Sequence, residues 1–160
     1  MNEVLRMNYK VLLQSAKGLL SSEPTNLSLL SNATAFLNDS ITNLNWVGFY
    51  MFKDGILTLG PFQGKVACNL IMPGKGVVGT SYQKNEVIVV KNVHEIENHI
   101  TCDPVSMSET VVPIRYNRTV WAILDLDSPV VNRFDPELVD FLQQFGALIE
   151  NYIDFERPLI

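Results

Sequence analysis

The chain has 160 residues, 47% of them hydrophobic and 18% charged, which is enough apolar side chain for a buried core and too little charge for a disordered chain. A net charge of −5 with no basic block excludes the electropositive face that a nucleic-acid backbone or an anionic membrane surface selects. No run approaches 18 apolar residues and the opening MNEVLRMNYK lacks an apolar signal core, so the expectation is one cytoplasmic domain with neither a membrane span nor a secretory leader.

Met7, Val11, Leu12, Ala16, Leu19 and Leu20 recur at helical spacing and predict a first amphipathic helix, ended by Ser21-Ser22-Glu23-Pro24. Leu27, Leu30, Ala33, Phe36, Leu37 and Ile41 predict a second. After the turn at Asn43-Leu44-Asn45 the period changes to two. Trp46 to Phe52 and Ile56 to Gly60 flank Lys53-Asp54-Gly55, a hairpin signature. Ala67 to Met72 reads as a third strand, Pro73-Gly74-Lys75-Gly76 as a turn opening a short helix over 77–84, and Glu86 to Val90 as a buried strand. A long loop over 92–108 follows, of a length that is usually functional in a small domain. Glu109 to Arg115 and Thr119 to Asp127 form a second hairpin around Asn117. Asp135 caps, and Pro136 starts, a last helix whose stripe is Leu138, Phe141, Leu142, Phe145, Leu148, Ile149 and Tyr152. Helices, then a strand meander interrupted by a short helix, then a helix, specify an α+β fold: an antiparallel sheet with helices packed on it.

Several residues carry chemistry. Gly74-Lys75-Gly76-Val77-Val78-Gly79 matches GxGxxG, but the short helix and the absence of a ribose-binding acid after the next strand make it a glycine turn rather than a dinucleotide loop. Free N–H groups at that helix start suit a small carboxylate. Trp46, Gly48, Tyr50 and Phe52 share one strand face, read either as core or as an aromatic floor for a cation or a sulfur-bearing methyl group. Asp125 and Asp127 point to one face at the end of an apolar strand. That is either a solvated strand end or a close carboxylate pair with one pKa pushed upward. Glu109 starts the strand after the long loop; alone it is a surface acid.

Two cysteines, Cys68 and Cys102, and two histidines, His94 and His99, lie in the chain with no CxxC or HExxH spacing, so no metal site is expected. Cys102, in the long loop, is the better nucleophile; its neighbouring carboxylates oppose the thiolate, and a cationic substrate group would relieve them. Cys68, in a predicted strand, reads alone as a small core residue. His99 reads more readily as a structural or solvated loop residue than as a helper of Cys102.

Taken together, Asn45-Trp46-Val47-Gly48-Phe49-Tyr50, the tract from Leu59 through Gly64-Lys65-Val66-Ala67-Cys68, Gly76-Val77-Val78-Gly79-Thr80, His99-Ile100-Thr101-Cys102-Asp103, Ser108-Glu109 and Leu124-Asp125-Leu126-Asp127-Ser128 closely resemble the free methionine-(R)-sulfoxide reductases, stand-alone GAF-domain enzymes. The resemblance implies a sheet of about six antiparallel strands, with a core over 26–155 and a helical extension over 1–24, paired as a homodimer. It implies reduction of free methionine (R)-sulfoxide, with Cys102 catalytic and Cys68 resolving. Glu109, Asp125 and Asp127 would be the substrate-binding acids, with Glu109 or Asp127 the proton donor, and Trp46 and Tyr50 the pocket aromatics. It implies no bound cofactor, with thioredoxin and its NADPH-driven reductase as external reductant. Many members have a third cysteine where this chain has Val78; the productive pair would then have to be Cys68–Cys102. The alternatives are a GAF-type sensor of a small ligand, with inert cysteines, and a non-enzymatic dimerisation module.

Overall fold

The structure is a computed structural model, and it describes residues 8–100 and 102–160. Its elements are α1 (Tyr9–Leu20), α2 (Asn26–Ser40), β1 (Trp46–Lys53), β2 (Ile56–Gly64), β3 (Leu70–Ile71), α3 (Gly76–Lys84), β4 (Ile88–Val90), a 3-10 turn (Val93–Glu95), β5 (Ser108–Tyr116), β6 (Thr119–Ser128) and α4 (Pro136–Tyr152). The six strands form one sheet in the order β3-β2-β1-β6-β5-β4, with every neighbouring pair antiparallel. The expected α+β architecture is present.

Because side chains alternate along a strand, each central strand supplies two cores. Val47 and Phe49 of β1, Val112 and Ile114 of β5 and Ala122, Leu124 and Leu126 of β6 meet α1, α2 and α4 on one face. Trp46 and Tyr50 of β1, Val111 of β5 and Ile123 of β6 meet Val77 and Val78 of α3 on the other. The first face is a continuous hydrophobic layer. The second is closed by one short helix and loops, and it carries the candidate site.

Local chemistry sets the ends of the elements. Asp54 and Gly55 adopt φ of 54° and 82°, and Asn117 and Arg118 φ of 49° and 67°, the left-handed pairs that two-residue hairpins demand. Asp135 accepts from the Leu138 N–H at 2.9 Å, with Pro136 at the first helical position. Pro61, which has no N–H to give, sits where the β1–β2 register shifts between Gly48 and Tyr50.

Five expectations need correction. Val11 and Leu19 are exposed while Ala16 and Leu20 are buried; a helix on a surface buries one stripe, and Val11 and Leu19 lie about 100° round from Leu12 and Leu20. Met7 lies outside the described residues. In α2, Asn26, Leu29 and Thr34 are buried and Leu27 is only half-buried, because the buried stripe is shifted from the one expected. The strand β2 runs on to Gly64, following β1 past the register shift. The third strand shrinks to Leu70 and Ile71, which pair with Thr58 and Leu57, so Cys68 lies in a loop and not in a strand. The expected buried strand over 86–90 is the edge strand β4, with Val89 exposed.

The two edge strands β3 and β4 flank α3 in sequence but lie at opposite ends of the sheet. No parallel βαβ unit surrounds the glycine motif, which removes the context a dinucleotide site needs. Gly74 N–H instead donates to the Gly79 carbonyl at 2.8 Å, closing a glycine turn.

Candidate active site

The register brings the predicted site residues into rows. Trp46 of β1 pairs with Asp127 of β6, which pairs with Glu109 of β5. In the next row Gly48 pairs with Asp125, which pairs with Val111. Glu109, Asp125 and Asp127 therefore share one patch of the sheet face, and a carboxylate oxygen of each lies within 4.8 Å of the others. Glu109 is 6% and Asp125 5% exposed.

Like charges this close and this buried do not ionise together. Burial raises the Glu109 carboxyl from its ordinary 4.5 to about 8, with Asp127 adding to the rise and a hydrogen bond with Asp125 opposing it. Asp125 is raised by burial, then by the charge of and hydrogen bond with Glu109. Asp127 is raised by burial, then by Asp125 and Asp103. The cluster holds protons at neutral pH. It suits a group that is itself cationic, or a basic oxygen that takes a proton, better than a hard metal ion that needs all three ionised.

A cavity opens over these acids. Trp46, Tyr50, Ala67, Lys75, Gly76, Val77, Val78, His99, Ile100, Cys102, Asp103 and Ser106 also line it. Trp46 stacks on Tyr50 and on Phe62, with ring centroids 5.8 and 5.3 Å apart. Gly48 and Gly64 make room for the indole: a Cβ on either would approach it to 2.6 Å. The strand glycine therefore marks close approach by a side chain that lines the cavity. Tyr50 donates its hydroxyl to the Cys68 carbonyl at 2.9 Å, and burial followed by the charges of Asp125, Asp127 and Glu109 pushes its pKa up.

Cys68 and Cys102 are joined by a disulfide across 34 positions, with Cα atoms 5.7 Å apart. Cys102 is exposed and Cys68 partly buried, so the pair forms the wall between the cavity and solvent. His99 sets its Nε2 3.5 Å from Glu109 Oε2, and burial lowers its pKa, which favours the neutral imidazole. It is a cavity residue, not a solvated loop histidine. The first turn of α3 has no side-chain cap, and Gly76, Val77 and Val78 face the same cavity, so the helix start keeps N–H groups for an anion.

All seven residues singled out from the sequence, Cys68, Cys102, Glu109, Asp125, Asp127, Trp46 and Tyr50, thus line or border one cavity. Residue reading did not single out Lys75, Asp103 and Ser106. Asp103 beside Cys102 was a usable signal; Ser106 lies in the long loop and Lys75 in the glycine turn, with nothing in the sequence to mark either.

The GAF domain model matches residues 26–153, and the chain belongs to the GAF domain family. Within that fold it is 39% identical over 145 residues to the free methionine-R-sulfoxide reductase of Escherichia coli (strain K12), covering 91% of this chain and 88% of the relative. It matches a reduced-form structure of fRMsr of Staphylococcus aureus with a TM-score of 0.89 and 40% identity, over 96% of this chain and 99% of that one. A free methionine-R-sulfoxide reductase from Neisseria meningitidis, solved in complex with its substrate, matches with a TM-score of 0.88 and 31% identity, over 91% and 88% of the two chains. The particular branch is that of the free methionine-R-sulfoxide reductases, a group of oxidoreductases.

Proposed function

We propose that this protein reduces free methionine (R)-sulfoxide to methionine through its two thiols. The observation that carries the reading is the Cys68–Cys102 disulfide set into the wall of the cavity that holds the buried Glu109 and Asp125 and the half-buried Asp127. A dithiol pair supplies two electrons, and a proton-holding acid cluster supplies what a sulfoxide oxygen needs in order to leave.

In the reduced enzyme the Cys102 thiolate attacks the sulfoxide sulfur. Glu109 or Asp127, protonated at rest, gives a proton to the oxygen. The oxygen passes to Cys102 as a sulfenic acid, and methionine departs as the thioether. The Cys68 thiol displaces that oxygen as water and forms the disulfide. One sulfoxide is reduced and two thiols are oxidised, so the electrons balance. An external dithiol reopens the bridge by exchange. Thioredoxin with its NADPH-driven reductase fits that part, because Cys102 is exposed and Val66, two residues from Cys68, presents an apolar side chain that is 92% exposed; the same reading needs no bound cofactor.

Asp125 neutralises the substrate ammonium, the open start of α3 takes the carboxylate, and Trp46 and Tyr50 pack the methyl-sulfur end. A peptide-linked sulfoxide offers neither charge, which explains selectivity for the free amino acid. The same reading takes the chain as one domain with an N-terminal helical extension over 1–24, acting as a cytoplasmic homodimer. Among the described residues no helix is long and apolar enough to cross a membrane.

The test is methionine release from separate (R)- and (S)-sulfoxide stocks with thioredoxin, its reductase and NADPH. Turnover of the (R) form alone is expected. Turnover of neither form, with a small dithiol also failing, overturns the reading and leaves a ligand sensor.

A further inference from the structure

Asn45 stands immediately before β1, next to Trp46, and has no role in the steps above. Its backbone N–H donates to the Asp127 carbonyl at 3.0 Å. Its side-chain Nδ2 donates to Asp103 Oδ2 at 3.2 Å and to Ser106 Oγ at 2.9 Å. The segment it grips is a tight turn: Asp103 Oδ1 accepts from the Val105 N–H at 3.0 Å, and the Asp103 carbonyl accepts from the Ser106 N–H at 3.2 Å. Met107 N–H then donates to Ser128 O at 2.8 Å as the chain enters β5. One side chain thus bolts the turn that follows Cys102 to the strand end that carries Asp127.

We propose that Asn45 is a positioning residue for Cys102, holding the Cys102–Asp103 segment where the thiol meets both Cys68 and the acid cluster. Two physical effects follow. Cys102 lies within the long loop over 92–108, and bridging to Cys68 demands a Cα separation within a window of about 2 Å; the observed 5.7 Å lies inside it. A loop free to move around Cys102 samples many other separations, so the clamp raises the effective concentration of one thiol at the other. The second effect is electrostatic. The Asp103 carboxylate adjoins Cys102 and opposes its thiolate, and an amide donor on that carboxylate draws its charge away from the sulfur. The amide orientation is determinate, since Asp103 as a carboxylate only accepts. It leaves Asn45 Oδ1 buried with no hydrogen-bond partner among the described residues, a cost tolerated for the sake of the clamp.

The proposed chemistry gives Cys102 its part as nucleophile, and the catalytic consequence rests on that reading; the disulfide consequence does not. The experiment uses the full chain and Asn45→Ala. The Cys68–Cys102 equilibrium is measured in glutathione redox buffers by alkylation and mass shift. The pH midpoint of Cys102 alkylation is measured with Cys68 replaced by Ser. The thermal midpoint is recorded in parallel. The variant is expected to weaken the disulfide equilibrium about tenfold and to move the Cys102 midpoint upward. Asp103→Asn removes the charge beside Cys102 but leaves one oxygen for two donors, Asn45 Nδ2 and the Val105 N–H; it is expected to move the midpoint downward and to weaken the equilibrium less than Asn45→Ala does. Should Asn45→Ala fail to fold, Asn45→Ser gives the same two readings. An unchanged equilibrium and unchanged Cys102 midpoint, with or without a fall in thermal stability, overturns the proposal. A wild type inactive on both sulfoxides, with the Asn45→Ala shifts present, sinks the reductase reading and leaves this one standing.

Discussion

Glu109 offers a quantitative test of the acid cluster. The unfolded chain ionises this carboxyl near 4.5, whereas the folded protein holds its proton to about 8. Below pH 4.5 both states are protonated and the stability of the folded state is intact. Between the two values the unfolded state has lost the proton and the folded state has not. The unfolded state then binds fewer protons, so stability falls as pH rises. The fall is complete above about pH 8 and amounts to about 5 kcal/mol at 1.36 kcal/mol per pKa unit. Asp125 and Asp127, also raised, act in the same direction. Against a total stability of about 5–15 kcal/mol this is a large fraction. Urea unfolding of the oxidised protein, followed by tryptophan fluorescence at pH 5, 6.5 and 8.5, reads it. With a slope near 2 kcal/mol per molar urea, the wild-type midpoint is expected to drop by about 2 M or more across the series. Glu109→Gln removes one titrating group and one of the charges that raise Asp125, so its midpoint changes less, the remainder being the share of Asp125 and Asp127, which burial still raises. A wild-type midpoint that is constant, or that rises with pH, refutes the claim that the cluster is buried in its protonated form.

The catalytic assignments give sharper mutational outcomes. Cys102→Ser is expected to abolish methionine release, whereas Cys68→Ser releases about one methionine per subunit and then stalls, counted by quenched-flow amino-acid analysis; sustained thioredoxin-linked turnover without Cys68 removes its resolving role. Asp125→Asn should raise KM at least tenfold with a smaller change in kcat. Of Glu109→Gln and Asp127→Asn, the one that lowers kcat by about 100-fold with KM nearly unchanged identifies the proton donor. Tyr50→Phe deletes the 2.9 Å bond to the Cys68 carbonyl, worth about 1 kcal/mol; disulfide closure after a single turnover should slow about fivefold, and an unchanged rate means that the phenol does not hold the Cys68 loop.

The fold was legible where period and turn chemistry agree. The shift from helical spacing to alternation at Trp46, the Asp54-Gly55 turn and the Asp135-Pro136 cap each point to one structure, and each is found. Legibility failed where position in the sheet decides. Val89 reads as core from composition, yet it sits on an edge strand that nothing covers on one side. Residues 67–69 are apolar enough for a strand, but the Tyr50 hydroxyl and the disulfide hold Cys68 toward the cavity, and only Leu70 and Ile71 stay in the ladder. Within the site, alternation alone put Asp125 and Asp127 on one face. The expected hairpin over 109–115 and 119–127 sets Glu109 near Asp127, but their direct pairing depends on the register shift between Ile114 and Arg115, which no local pattern encodes; the family resemblance marked Glu109 as a site acid. His99 and Asn45 carry no signal of their own, since each matters only through a partner that folding brings near.

The site divides its groups between two kinds of support, and the division fits the chemistry proposed for it. The three acids stand on β5 and β6, where the ladder fixes their spacing and they cannot separate without breaking sheet hydrogen bonds. Their mutual repulsion is therefore permanent, and only a proton or a bound cation relieves it. Cys68 and Cys102 instead stand on loops, because two sulfurs that alternate between separate thiols and one bond must move relative to each other. Val78, the position at which the family resemblance implies a third cysteine in other members, lies buried on α3, a rigid element; with no thiol there, every redox step of the proposed cycle falls to the two loop cysteines. The stiffness of their loops then becomes the variable that sets how readily the bridge closes, and side-chain contacts to strand β1 and its approach, Tyr50 to Cys68 and Asn45 to Asp103, contribute to it.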